Sequence, residues 1–222
     1  MEIPLDKREK VNDYIRNNFA KVPDMVLRYQ ALARALPIPP HHISSEMGKL
    51  LSILVHSIKA KNILEVGTMW GYSSWWMAQG LEKDGHIITY EKELKHYNLA
   101  KRFFQAMKLG NIELIYGDAL LSVNEHKDNY FDLIFLDADK KEYPALYPLI
   151  KNKLKSGGLL VVDNVIFSSA WKDKTVVDTT DNESILATQA FNKLIIRDKE
   201  FDAVPVAINS GLILAVKIKL PS

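Results

Sequence analysis

The chain has 222 residues, of which 47% are hydrophobic and 25% charged, and its net charge is +2. That length suits one α/β domain with short additions, and the balanced charge offers no basic face of the kind nucleic acid selects. The absence of cysteine excludes disulfides, thiolate metal sites and a cysteine nucleophile. No apolar run approaches the roughly 20 residues of a membrane-spanning helix, and the polar start Met1-Glu2-Ile3-Pro4 lacks the apolar stretch of a signal peptide. A single cytoplasmic domain over 1–222 is expected, with no membrane partner and with residues 1–42 as an N-terminal helical extension.

Residues 6–20 carry Val11, Tyr14, Ile15 and Phe19 at helical spacing. A second helix opens at Pro23-Asp24, runs through Leu36 and is ended by Pro37, Pro39 and Pro40. Preceding the sheet, this pair is expected either to cover the ligand-carrying edge or to form the contact of a homodimer. His41-His42 follow in a Pro-rich loop with no third ligand nearby and read as a solvated pair. Ser44 or Ser45 can cap a helix over 46–57.

The first strand, 61–66, ends in Glu65-Val66 and enters the turn Gly67-Thr68-Met69-Trp70-Gly71 before a helix over 73–81. Trp75, Trp76 and Met77 on that helix are assigned to the core. The Gly-x-x-x-Gly spacing differs from the Gly-x-Gly-x-x-Gly that cradles a pyrophosphate. A second strand, 85–90, ends at Glu91, and a helix over 93–108 follows, closed by Gly110. The third strand, 112–116, leads into Gly117-Asp118-Ala119. Residues 131–136 are almost continuously apolar, as a strand buried on both faces should be, and end at Asp137-Ala138-Asp139-Lys140. A helix through Leu154 is expected to stop at Ser156-Gly157-Gly158, and a strand over 159–162 ends at Asp163-Asn164. A polar loop over 168–182, a helix over 183–198 and two strands, 203–208 and 212–219, complete the chain. The last two flank Asn209-Ser210-Gly211, which suits a hairpin turn. The alternation defines an α/β three-layer sandwich with a seven-stranded, mostly parallel sheet ending in an antiparallel hairpin.

Five strands thus end in Glu65, Glu91, Asp118, Asp137 and Asp163. Carboxylates aligned on one sheet edge repel unless a cation neutralises them. Glu91, some twenty residues beyond the glycine turn, is placed to accept hydrogen bonds from a ribose. Asp137, Asp163 and Asn164 offer three hard oxygen ligands suited to Mg²⁺, with Ca²⁺ or Mn²⁺ as alternatives, whereas zinc is disfavoured. Singly, the two aspartates could equally cap the segments that follow. Beside a metal ion, Lys140 would have a lowered pKa and could act as a general base; without one it is a surface lysine. Neither a Gly-x-Ser-x-Gly elbow nor a Gly-x-x-x-x-Gly-Lys phosphate loop is present.

Three stretches together resemble a known family. Glu65-Val66-Gly67-Thr68-x-x-Gly71-Tyr72-Ser73, Leu136-Asp137-Ala138-Asp139-Lys140 and Val162-Asp163-Asn164-Val165 are similar to motifs of the class I S-adenosylmethionine-dependent O-methyltransferases of the catechol and caffeoyl-CoA type, in their bacterial form. The resemblance runs from about Ile43 to Lys219 and implies the Rossmann-like methyltransferase fold. It implies that Glu65, Gly67, Thr68 and Ser73 line the methionine part of S-adenosylmethionine, that Glu91 holds the ribose, and that Asp118 and Ala119 border the adenine. Ile43 would close over the cofactor, Asp137 would serve cofactor and metal, Asp163 and Asn164 would complete the metal site, and Lys140 would be the base. The implied acceptor is a small catechol-like or caffeoyl-type phenol. A tRNA hydroxyuridine is the alternative, permitted but not favoured by the charge, and a non-catalytic cofactor-binding protein is a third reading. Phe167-Ser168-Ser169-Ala170-Trp171-Lys172 and Pro37-Ile38-Pro39-Pro40 depart from the animal catechol enzymes, so the acceptor is the least determined feature.

Overall fold

The computed structural model describes residues 8–35, 42–166, 182–208 and 210–219. Helices α1 (Arg8–Asn18) and α2 (Asp24–Ala35) lead into α3 (Ser45–Ser57), whose start is capped by the Ser44 hydroxyl accepting from the Met47 amide. Strands β1 (Asn62–Val66), β2 (His86–Glu91), β3 (Ile112–Tyr116), β4 (Phe131–Leu136) and β5 (Leu154–Asp163) alternate with α4 (Tyr72–Gly80), α5 (Leu94–Ala106), the one-turn α6 (Ala119–Ser122) and α7 (Tyr143–Lys153). The chain closes with α8 (Asn182–Arg197), β6 (Phe201–Val206) and β7 (Leu212–Lys217). His41, the proline stretch 37–40, the segment 167–172 and the rest of the polar loop up to residue 181 lie outside the described residues.

The seven strands form one sheet in the order β3-β2-β1-β4-β5-β7-β6. Only β7 runs against its neighbours, pairing antiparallel with both β5 and β6, so the expected mostly parallel sheet with a terminal hairpin is what the chain adopts. The central strands read as continuous apolar runs because each face is covered, and the period of two decides which residue meets which layer. Ile63, Ile87, Leu133, Phe135 and Val161 pack beneath α2, α3, α4 and α5 with Trp75, Trp76 and Met77. Their neighbours Leu64, Ile88, Ile134, Leu136, Leu160 and Val162 face α7 and α8 through Tyr143, Leu146, Ile150 and Phe191.

One boundary differs from the sequence reading. Ser156-Gly157-Gly158 does not end a helix: α7 stops at Lys153 and the three residues sit inside β5. Phe131 pairs with Leu154 and Leu133 with Leu159, so this tripeptide is bulged out of the ladder, with Gly157 at φ +80°. No helix among the described residues is long and apolar enough to cross a membrane.

Candidate active site

Because β1 lies between β2 and β4, the chain reverses its direction of winding there, and a crevice opens beyond the carboxyl ends of the strands. The structure has a cleft of about 2410 Å³ at that place, lined by the residues following β1, β2, β4 and β5. Its outer wall comes from α1 and α2, through Arg16, Leu27, Gln30 and Arg34. Residues of both N-terminal helices thus border the cleft.

The turn after β1 is shaped by two glycines in the left-handed region. Gly67, at φ +99°, lies so close to the end of β4 that a Cβ would come within 2.1 Å of the Asp137 carbonyl oxygen. Gly71, at φ +90°, would drive a Cβ to 2.3 Å from the Phe104 ring. The Asp137 amide in turn donates to the Val66 carbonyl at 2.9 Å, locking the two strand ends together. Between the glycines, Met69 also has positive φ (52°), which aims its amide at Glu91 Oε2, 2.7 Å away. The Glu93 amide takes Glu91 Oε1 at 2.8 Å, so both oxygens of this buried carboxylate are fixed by backbone donors at the end of β2.

Glu65 is fully buried and stands behind the cleft wall formed by Val66, Gly67 and Thr68. Its Oε2 accepts from Thr89 Oγ1 at 2.6 Å and from the Ser74 hydroxyl, and Thr89 Oγ1 lies 2.6 Å from Thr68 Oγ1. Burial raises its pKa to about 7, the surrounding hydroxyls opposing that rise. Ile43, Thr68, Ser73, Glu91, Asp118 and Ala119 all line the cleft, and Asp118 caps α6 by accepting from the Leu120 amide at 2.8 Å.

At the far end of the cleft four of the expected residues meet. Asn164, in the left-handed conformation at φ 60°, brings its amide nitrogen to 3.3 Å from Asp137 Oδ1 and 3.4 Å from Asp163 Oδ2. Lys140 Nζ donates to Asp137 Oδ1 at 3.0 Å, to the Ala138 carbonyl at 3.1 Å and to Tyr143 Oη at 2.6 Å. Burial raises the Asp163 carboxyl to about 7, with the Asp137 charge adding to the rise. The Lys140 amine has its pKa raised by the protein's own groups, the lowered pKa having been expected only beside a metal ion. Burial by itself would lower it, but Tyr143 and Asp137 outweigh burial and hold the amine protonated. Among the described residues no group of three or more His, Cys, Asp or Glu side chains is disposed to hold a metal ion, so a cation in this corner would depend on Asn164 as third ligand.

Three participants were missed in the sequence. Tyr143 follows Lys140 by one helical turn, a spacing that puts both on one face and could have revealed it. Its hydroxyl lies 3.1 Å from the Asp163 carbonyl oxygen and thereby ties Lys140 to the end of β5. Trp70 is buried at the cleft wall, its ring stacked on Tyr72 with centroids 4.9 Å apart. His42 is not a solvated loop residue: it meets both rings edge-on and lies 3.2 Å from Gln30 Nε2 of α2.

A family profile described as O-methyltransferase matches residues 22–218. The chain is 32% identical over 218 residues to a catechol O-methyltransferase of Niastella koreensis, covering 94% of this chain and 96% of that one. It is 34% identical over 137 residues to a catechol O-methyltransferase of Mycobacterium tuberculosis, covering 61% of this chain and 62% of that one. Among solved structures, the O-methyltransferase from Bacillus cereus in complex with SAH superposes with a TM-score of 0.84 at 29% identity, covering 94% of this chain and 97% of that chain. The chain belongs to the O-methyltransferase family. Within it, the protein is an S-adenosylmethionine-dependent O-methyltransferase of the catechol and caffeoyl-CoA type.

Proposed function

We propose that the protein methylates one hydroxyl of a vicinal-diol phenol, of the catechol or caffeoyl kind, with the help of a divalent cation. The observation that carries this reading is the meeting of Asp137, Asp163, Asn164 and Lys140 in one corner of the cleft that also contains the Gly67 turn and Glu91. The donor set fits a hard cation: two carboxylates and an amide, with the Asp163 carboxyl driven up to about 7 by burial and by the Asp137 charge, against the opposing effect of Lys140. When bound there, Mg²⁺, or Ca²⁺ or Mn²⁺ in its place, would supply Lewis acidity to the two neighbouring phenol oxygens. S-adenosylmethionine supplies an electrophilic methyl on a sulfonium.

The remaining work falls to the chain's own residues. Gly67, Thr68 and Ser73 would hold the methionine part of the cofactor, beneath Ile43. Glu91 keeps lone pairs for the ribose hydroxyls while the Met69 and Glu93 amides fix its plane. Asp118 and Ala119 would border the adenine. Glu65, being behind the wall, acts as a positioning residue through Ser74 and Thr89. The hydroxyl proton would pass to Lys140 Nζ, the one lysine amine in contact with Asp137 among the described residues, after that amine has released its own proton to solvent. As it stands this amine is protonated, and weakening of its ion pair with Asp137 is what would bring it into the range of a base. A homodimer is proposed from the apolar residues that α1, α2 and their junction leave exposed, with Tyr14, Phe19 and Leu32 at 61%, 64% and 53%; light scattering would decide it.

The test is methyl transfer from labelled S-adenosylmethionine to a catechol panel and to bulk tRNA, with and without EDTA. Catechol methylation that EDTA abolishes and Mg²⁺ restores is the expected result. Transfer to tRNA alone would overturn the phenolic reading, and catechol turnover indifferent to EDTA would overturn the metal.

A further inference from the structure

The two walls of the cleft carry opposite charge. The sheet edge contributes Glu91, Asp118, Asp137, Asp139, Glu142 and Asp163, which outnumber its Lys92 and Lys140, while α1, α2 and the turn between them contribute Arg16, Lys21 and Arg34 against Asp13. Arg16 is bonded to Asp13. Neither Lys21 nor Arg34 has an ion-pair partner among the described residues, although both border a cleft rich in carboxylates. His42 adds no charge to this wall, since burial first, and the nearby Arg34 charge further, keep its imidazole neutral.

Such a separation sets up a field across the cleft, stronger than in bulk water because low-dielectric walls focus it. A cationic methyl donor is favoured on the acidic side. An acceptor with a neutral diol at one end and an anion at the other gains when the anion faces Lys21 and Arg34 and the diol faces the Asp137–Asp163 corner. We propose that Lys21 and Arg34 form an anion subsite that selects acceptors bearing a carboxylate or phosphate remote from the two hydroxyls. The inference rests on the proposed phenolic reaction and deepens it by naming the charge class of the substrate. Two solvent-facing cations, each contributing about threefold, give about tenfold in KM, because exposed ion pairs are weak. The gain shrinks with salt.

The experiment compares catechol, 3,4-dihydroxybenzoate and dopamine, which share the diol and differ in charge. Steady-state kinetics are paired with calorimetric binding of each acceptor in the presence of SAH, for the intact protein and for Lys21→Gln/Arg34→Gln. The expected order is dihydroxybenzoate, then catechol, then dopamine. The roughly tenfold preference for the carboxylate should lie in KM, fall in about 0.5 M salt, and drop toward one in the double variant. Equal handling of dihydroxybenzoate and catechol would overturn the subsite. So would a double variant that weakens SAH binding while keeping the preference, because the cations would then serve the cofactor's own carboxylate. Failure to methylate any of the three would refute the phenolic reaction instead, and the calorimetric order would still decide the subsite.

Discussion

Glu65→Gln isolates the cost of keeping an acid fully inside the sheet. The carboxyl goes from an ordinary value of 4.5 to about 7 when the chain folds, mainly by burial. A raised carboxyl pKa means that the folded chain binds this proton more tightly than the unfolded chain. Folding stability is then highest below about pH 4.5, falls as pH rises through 4.5 to 7, and is flat above. The difference amounts to about 3 kcal/mol at 1.36 kcal/mol per unit, or about 6–12 °C in Tm for a domain of this size. Glutamine keeps the shape and an acceptor for Ser74 and Thr89 but cannot ionise. The loss of stability between pH 5 and pH 8, followed by urea denaturation in EDTA, should be smaller by about 2.5 kcal/mol in the variant, the rest of the difference lying below pH 5. Asp163, also raised to about 7, bends the curve in the same direction and is left intact, so some slope persists. Parallel curves for the two proteins would refute the reasoning, for Glu65 would then be carrying its charge inside the sheet without penalty.

Lys140→Met should lower kcat by about 10²–10⁴, the usual worth of a positioned acid or base, while calorimetry finds SAH affinity retained. Gly67→Ala combines positive φ with a Cβ that meets backbone at 2.1 Å. It should cost more than about 2 kcal/mol by chemical denaturation and weaken SAH binding at the same time. Lys153 is buried and donates to the Asn124 and His126 carbonyls at 3.1 and 2.8 Å and to Asp128 at 2.7 Å, far from the cleft. Lys153→Met strands two carbonyls and should cost about 2–4 kcal/mol in urea denaturation with KM unchanged.

What could be read from the sequence was whatever depended on local pattern. β4 and β1 announce themselves as apolar runs because both faces of a parallel sheet are covered, and the acids mark where those runs emerge. Ser156-Gly157-Gly158 misled because glycine favours a helix end and a strand bulge for the same reason, its freedom at positive φ; only the pairing with β4 distinguishes them. The four residues of α6 are too few to show a helical period. His42 and Trp70 were illegible because their role lies in contact between segments 28 residues apart in sequence, which no local pattern encodes. For Lys140 the residue was legible and its state was not. The sequence reading tied a lowered pKa to a metal ion beside the amine and could not foresee that the Asp137 carboxylate and the Tyr143 hydroxyl, both from the chain itself, stabilise the ammonium.

The row of strand-end carboxylates raised the expectation that a cation must neutralise it. In the folded chain most of that repulsion is dispersed locally, by a different device at each strand. Glu65 is withdrawn behind the wall among hydroxyls and pushed toward its neutral form. Glu91 is satisfied at both oxygens by backbone amides. Asp118 caps a helical turn through the Leu120 amide. That leaves Asp137 and Asp163, which face one another and share Asn164. Lys140 compensates one of them, and the other answers by holding its proton near neutrality. A pair of acids with one counter-charge between them is one positive charge short, and a divalent cation is the species that would make up the deficit while freeing Lys140 from Asp137. The case for the proposed metal ion therefore does not rest on the row of five acids. It rests on these two, since the other three are each satisfied by groups of the chain itself.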